Sequence, residues 1–233
     1  MPVRHEIWRF SAACLGVLAL AAQLSAQQAP PAPAAPPPRF VVVLDAAHGG
    51  GDSGGRLANG QLEKALTLAL SVRLRSLLGA RGIQVVTTRE SDAAVDPARR
   101  AEIANHTQAQ ACLSLHASES GSGVHLYASS LAPVRPARFA PWRTAQAAWV
   151  TRSLALEGTL NSALLQAGMN VTLGRTSLPS LDSMTCPTVA VEIAPELGPD
   201  KKVASALDDP AYQARVATAL AAALLEWRSE AHP

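Results

Sequence analysis

The sequence has few charged residues, few cysteines and no hydrophobic run long enough to span a membrane, and each shortage excludes a class of protein. Charged residues make up 16% of the 233 residues and the formal net charge is +2, an excess too small to indicate a nucleic-acid partner. The apolar stretch at residues 12–22 is shorter than the ~20 residues that a transmembrane helix needs. The three cysteines do not lie near the histidines at the spacing of a compact zinc motif. A hydrophobic fraction of 48% is typical of one compact domain.

The first 26 residues have the three parts of a secretory signal peptide. Two arginines lie among the first ten residues, the apolar stretch follows, and polar residues come next, so we place the cleavage after Ala26. Cys14 precedes most of the apolar stretch, whereas a lipid-modified cysteine should follow it. We therefore expect an exported protein, in the periplasm or the extracellular cell wall, with no membrane anchor in the mature chain.

A short Ala/Pro-rich segment follows the predicted signal peptide. Residues 27–38, QQAPPAPAAPPP, cannot pack a core and are expected to form an extended, disordered spacer. The folded domain then comprises residues 39–233, without an internal repeat of about 20–50 residues.

Apolar periodicity alternates between strand and helix along this domain. The pattern predicts strands at 40–44, 83–88, 111–116, 123–127 and 189–193, and helices at 63–78, 97–107, 145–166 and 211–228. Strands that alternate with helices indicate an α/β fold. We expect a single three-layer domain, with a mostly parallel twisted sheet and helices on both faces.

Four residues that could bind a metal or carry a proton lie at the edges of apolar segments: His48, Glu63, His116 and Glu192. In parallel sheets the active crevice lies at the carboxyl ends of strands, and three of the four are at or near such ends. Taken singly, a histidine after a strand or Glu63 at a helix start has an ordinary structural explanation. Glu192 interrupts a buried run, where a carboxylate is costly unless it is paired, metal-bound or protonated. Together, two histidines and two glutamates are typical of a hydrolytic zinc site.

The order of seven short segments resembles one known family. DAAHGGGDSGG, LEKALTLAL, TRESD, RRAEIAN, SLHAS, GVHLY and CPTVAVEIAPE follow one another between Phe40 and Trp227. This order is similar to that of the zinc-dependent N-acetylmuramoyl-L-alanine amidases with a type 3 catalytic domain. No single segment is decisive, but seven in order are hard to obtain by chance.

The resemblance implies a role for each candidate residue. His48, Glu63 and His116 would bind one Zn²⁺ per chain, and Glu192 would be the catalytic acid and base. The substrate would be peptidoglycan, and the bond cleaved would be the amide between N-acetylmuramic acid and the L-alanine of the stem peptide. We expect the protein to act as a monomer.

The chain departs from the family pattern at positions that border the site. Ala46 and Ala47 replace Pro-Gly, Ser118 replaces Asn, residues 194–196 replace Gly-Phe and a polar residue, and Asp182 stands where many relatives have Arg. These changes remove no metal ligand, so we expect the metal site to persist. They are expected to reshape the substrate groove.

Two other functions would use the same residues. One is an impaired amidase-like domain that binds peptidoglycan as a scaffold or activator. The other is a zinc peptidase that acts on the stem peptide, because the same atoms serve both hydrolyses.

Three further residues allow two interpretations each. Cys112 and Cys186 could form a disulfide in an oxidising compartment or remain buried free thiols, and the sequence does not decide between them. His125 alternates along a predicted strand and could support the site, but a surface position is the expected one.

Overall fold

A computed structural model describes residues 39–136 and 141–231 of the chain. The predicted signal peptide and spacer lie outside these residues, so their boundaries stay predictions. Among the described residues, no helix is both long and apolar enough to cross a membrane.

The described elements follow the alternation that the sequence predicts. The strands are β1 Val41–Ala46, β2 Gln84–Thr87, β3 Ala111–Ala117, β4 Val124–Ser129, β5 Val171–Thr176, β6 Thr188–Ile193, β7 Glu196–Leu197 and β8 Val203–Ser205. The helices are α1 Glu63–Gly79, α2 Pro97–Asn105, α3 Val150–Gln166, α4 Pro179–Asp182 and α5 Pro210–Ala231.

Six strands form one sheet in the order β2-β1-β3-β6-β4-β5. Neighbouring strands are parallel except that β4 runs antiparallel to β6. The larger core lies between the sheet and helices α1, α3 and α5, and the smaller core lies under α2. The predicted fold class, a three-layer α/β domain with a mostly parallel sheet, is therefore confirmed.

The central strands are buried on both faces, which explains their composition. β1, β3 and β6 are runs of Val, Leu, Ala and Ile with few polar residues, as strands covered by helices on both sides require. Their carboxyl ends lie at one edge of the sheet, because the three strands are mutually parallel. Residues that follow these ends are therefore brought together.

Strand β5 was not predicted from the sequence. It is an edge strand in which Leu173 is 52% exposed, so it lacks the buried apolar run of the central strands. Gly174 further weakens its strand pattern, but the ring of Tyr127 on the neighbouring β4 lies against it, where an added Cβ would come within 2.8 Å of that ring. The Tyr127 ring thus occupies the space where a side chain at position 174 would lie.

The long helix predicted at 145–166 is also shorter than expected. A 3₁₀-helix, Trp142–Ala148, comes first, and α3 starts at Val150. Thr144 has a non-helical conformation (φ −129°, ψ 24°) that interrupts the 3₁₀ segment near its start.

A disulfide joins Cys112 in β3 to Cys186 just before β6. Both residues are buried in the smaller core, and their Cα atoms are 6.2 Å apart. The structure thus contains the disulfide rather than the two free thiols. It closes a loop between residues 74 positions apart in the chain.

Replacing both cysteines by alanine is expected to lower the free energy of unfolding by about 2–4 kcal/mol, because the unfolded chain loses a long-range constraint. Urea denaturation of the wild-type and Cys112→Ala/Cys186→Ala proteins measures the difference. A reducing agent should destabilise the wild type to a similar extent and leave the double variant unchanged. Equal sensitivity of both proteins to reduction would contradict the prediction.

Candidate metal centre

Three of the four predicted site residues meet at the carboxyl edge of the sheet. His48 follows β1, Glu63 is the first residue of α1, and His116 lies near the end of β3. One donor atom from each of these residues lies within 4.8 Å of the others. Two imidazole nitrogens and one carboxylate oxygen therefore converge on a space that could hold a metal ion.

Glu63 is held as an anion at the start of α1. Burial by itself raises the pKa of this carboxyl. Hydrogen bonds from His116 and from the backbone N–H groups of Gly55 and Ala117, together with the field of His48, outweigh burial and lower the pKa to about 2. The N–H groups of Gly55 and Ala117 lie 2.8 and 3.1 Å from the carboxylate oxygens. Glu63 is thus a fixed negative charge at neutral pH.

His48 has a strained backbone that aims its ring at Glu63. Its φ is +63°, a left-handed conformation that costs non-glycine residues about 1–3 kcal/mol and that clusters at functional sites. The Arg100 guanidinium stabilises this turn by donating to the His48 carbonyl at 2.7 Å. The ring Nδ1 lies 2.8 Å from Asp52 Oδ2, and the ring Nε2 lies 3.1 Å from Glu63 Oε2.

The contact with His48 changes the pKa of the Asp52 carboxyl. The hydrogen bond from His48, followed by one from the Gly54 N–H, lowers the pKa of Asp52 below its usual value. A carboxylate on Nδ1 favours the tautomer in which Nε2 carries the lone pair. His48 therefore presents Nε2 to the cluster.

His116 is held from its far side by a buried polar chain. Its Nδ1 lies 3.3 Å from Glu63 Oε1, and its Nε2 lies 3.4 Å from Ser114 Oγ. Ser114 donates to Asp45 Oδ2 at 3.0 Å, and Asp45 forms a 2.7 Å ion pair with Arg100. Both histidines thus have one nitrogen at the cluster and a polar partner on the other nitrogen, the arrangement usual for metal-binding histidines.

Glu192 lies beside the cluster rather than in it. It is paired with His116 across β3 and β6, and with His125 across β6 and β4. Its side chain remains 30% exposed, so solvent and a substrate can reach it. The surface position expected for His125 is wrong, because its side chain is only 12% exposed and its Nδ1 lies 3.1 Å from Glu192 Oε1.

Sequence reasoning could not have found the His125 contact from the period-2 pattern of β4. That pattern shows which residues share a face, but not which strand lies alongside or in which direction. Because β4 runs antiparallel to β6, its first residues reach the carboxyl edge where Glu192 lies. The signal that was available is the histidine itself, two residues after Gly123 in a segment of the family pattern.

The departures from the family pattern lie outside the donor cluster. Asp182 is buried, and its carboxylate accepts hydrogen bonds from Ser129 and Ser177. It joins the end of β4 to the segment before α4, and it also lies in the wall of a surface cavity with Trp142 and Arg143. The expected effect of Asp182 on substrate stays a prediction. Ser118 Oγ accepts from the Ser120 N–H in the turn after β3.

The donor set fits a catalytic metal ion such as zinc. Zinc binds imidazole nitrogen and carboxylate oxygen, and catalytic zinc keeps three protein ligands with one open position. The side chains of His48 and His116 are 23% and 22% exposed, so the cluster opens to solvent. A metal ion held there would be able to activate water for hydrolysis, and Glu192 lies on the strand beside His116.

Comparisons with known proteins agree with this geometry. A model of the N-acetylmuramoyl-L-alanine amidase family matches residues 42–226. The fold is similar to the catalytic domain of CwlV, an N-acetylmuramoyl-L-alanine amidase from Bacillus (Paenibacillus) polymyxa var. colistinus. The TM-score is 0.63 at 24% identity, over 82% of this chain and 98% of that domain.

Two curated relatives match over shorter stretches. The germination-specific N-acetylmuramoyl-L-alanine amidase of Bacillus subtilis is 35% identical over 86 residues, which cover 31% of this chain and 36% of that protein. The N-acetylmuramoyl-L-alanine amidase AmiA of Escherichia coli is 38% identical over 73 residues, which cover 31% of this chain and 25% of that protein. The chain thus matches only about a third or less of each relative.

Gly54→Ala is expected to weaken metal binding, because the new Cβ would lie 2.5 Å from His48 Cδ2 and 2.6 Å from Glu63 Oε2. Displacing groups around a metal site typically lowers affinity about 10- to 100-fold. Competition with a chelator for Zn²⁺ measures the affinity without any activity assay.

Gly60→Ala is the matched control for this variant. Gly60 also has a positive φ, +85° against +62° for Gly54, but an added Cβ there meets nothing within 4 Å. Both variants carry the backbone strain of about 1–2 kcal/mol, and only Gly54→Ala should lose affinity. Equal affinities in the two variants would show that Gly54 does not control the ligand positions.

Proposed function

Because the chain belongs to the N-acetylmuramoyl-L-alanine amidase family, we propose that it hydrolyses the amide bond between N-acetylmuramic acid and the L-alanine of the peptidoglycan stem peptide. The observation that carries the proposal is the convergence of His48, Glu63 and His116 beside the accessible carboxylate of Glu192. The match over residues 42–226 supplies the reaction class, and this cluster supplies the chemistry.

The ion proposed for the cluster is one Zn²⁺ per chain, held by His48 Nε2, Glu63 and His116 Nδ1. When bound, zinc polarises a carbonyl and lowers the pKa of water toward ~7. The protein contributes a fixed negative charge at Glu63, because its hydrogen bonds keep the pKa near 2. It also contributes histidines whose far nitrogens lie beside Asp52 and Ser114.

Glu192 is proposed as the proton carrier. Its position beside His116 lets it take a proton from the attacking water and return one to the leaving amine of L-alanine. The partial exposure of its side chain, 30%, supports this role, because a proton carrier must be reachable by water and by substrate.

The place of action follows from the substrate. Peptidoglycan lies outside the cytoplasmic membrane, and the predicted signal peptide would deliver the chain there. We propose an exported enzyme in the periplasm or cell wall, acting as a monomer.

A soluble muropeptide incubated with the zinc-loaded protein is expected to release an intact stem peptide with a free L-alanine amine. Mass spectrometry of the products identifies the bond. Shortened stem peptides would indicate a zinc peptidase instead. Binding to peptidoglycan without any product would indicate a scaffold or activator.

Glu192→Gln should retain zinc and stability but lose about 10²- to 10⁴-fold in turnover, since the amide cannot exchange the proton. His116→Ala is the contrasting variant and should lose zinc and turnover together. Zinc content, melting temperature and muropeptide release are measured on the same preparations. Wild-type turnover in folded, zinc-loaded Glu192→Gln would exclude the assigned role.

A further inference from the structure

His116, Glu192 and His125 occupy facing positions on three adjacent strands. Cross-strand register pairs His116 with Glu192 and Glu192 with His125, and side chains of directly opposed residues lie on the same face of a sheet. Glu192 is therefore flanked by two imidazoles, of which only that of His116 belongs to the donor cluster. The imidazole of His125 has no role in the reaction proposed above.

The His125 ring makes a directed contact with Glu192. Its Nδ1 lies 3.1 Å from Glu192 Oε1 and 3.4 Å from the hydroxyl oxygen of Tyr127. An ionised carboxylate can only accept hydrogen bonds, so the proton of this contact is on His125 Nδ1. The histidine thus engages one oxygen of the carboxylate and leaves the other for proton exchange.

The opposite edge of the ring is enclosed by bare backbone. Gly121 has a φ of +91°, and a Cβ added there would lie 2.1 Å from His125 Cε1 and 2.6 Å from Nε2. The ring of Tyr127 is perpendicular to the imidazole, with centroids 6.3 Å apart. These contacts leave the imidazole little room to rotate away from Glu192.

We propose that His125 is a positioning residue for Glu192: its Nδ1–H holds one carboxylate oxygen, so that the other is presented to the reacting water in a single orientation. The proposal rests on the proposed function, in which Glu192 carries the proton. It adds that His125 of β4, and not a metal ligand, sets the orientation of the partly exposed Glu192 carboxylate. Misplacement of a reacting group by about 1 Å can cost ~10²-fold in rate.

The kinetic test compares two substitutions of His125. His125→Leu removes the donor, whereas His125→Asn places an amide N–H near the position of Nδ1. We expect His125→Leu to lower kcat about 10- to 100-fold with unchanged KM and zinc content, and His125→Asn to restore most of kcat. His106→Leu is the control for loss of a histidine, since His106 is exposed and its ring nitrogen lies 2.9 Å from the Glu102 carbonyl.

A double variant tests whether His125 acts through Glu192. In a Glu192→Gln background, His125→Leu should cause little further loss, because residues that act as a unit are not additive. A full additional loss would overturn the proposal. Equal kcat losses in the Leu and Asn variants, or a wild-type kcat in His125→Leu, would overturn it as well.

A spectroscopic measurement separates this proposal from the proposed function. NMR of ¹⁵N-histidine-labelled wild-type protein should show a protonated Nδ1 on His125. The signal is assigned by its absence in His125→Leu, and its chemical shift should change in Glu192→Gln. If the wild type released no stem peptide, the proposed function would fail, and the NMR result would still decide whether His125 holds Glu192. An Nδ1 signal that ignores the Glu192 substitution would overturn the contact.

Discussion

The buried ion pair between Arg100 and Asp45 is the interaction on which the site depends. Arg100 donates to Asp45 Oδ1 and to the carbonyls of Ala46 and His48, each at 2.7 Å. Asp45 in turn accepts from Ser114, which lies beside His116. One guanidinium thus joins the end of β1, the strained turn at His48 and the far side of His116. Removing either partner of such a pair leaves a buried charge uncompensated, at about 3–5 kcal/mol.

The site has two parts with different mechanical support. His116, Glu192 and His125 lie on neighbouring strands, so the backbone ladder of the sheet sets their spacing. His48 lies in a loop and Glu63 at a helix start, and their meeting depends on the Arg100 contact and on the space left by Gly54. Changes in the loop should therefore affect metal binding first, whereas changes at Glu192 and His125 should affect proton transfer first.

The sequence predicted the buried parts of the fold better than its exposed edge. β1, β3 and β6 are apolar runs because helices cover both of their faces, and a run of that kind is visible without a structure. β5 has no such run, since its solvent-facing residues are under no pressure to be apolar. The order of motifs predicted the donor cluster, in which His48 and His116 lie at the ends of parallel strands and Glu63 begins helix α1. It did not predict the contacts of Asp182, one of which comes from Ser129, 53 residues away in the chain.

By itself, the sequence determined the residue types at the site, the alternation of strands and helices, and the edge of the sheet where the site would lie. These follow from local periodicity and from the rule that parallel strands end together. Only the tertiary structure decided that β4 runs antiparallel to β6, which brings His125 to Glu192, and that Cys112 lies within bonding distance of Cys186. Both depend on strand direction and register, which are set by packing between distant segments and leave no mark in any single stretch of sequence.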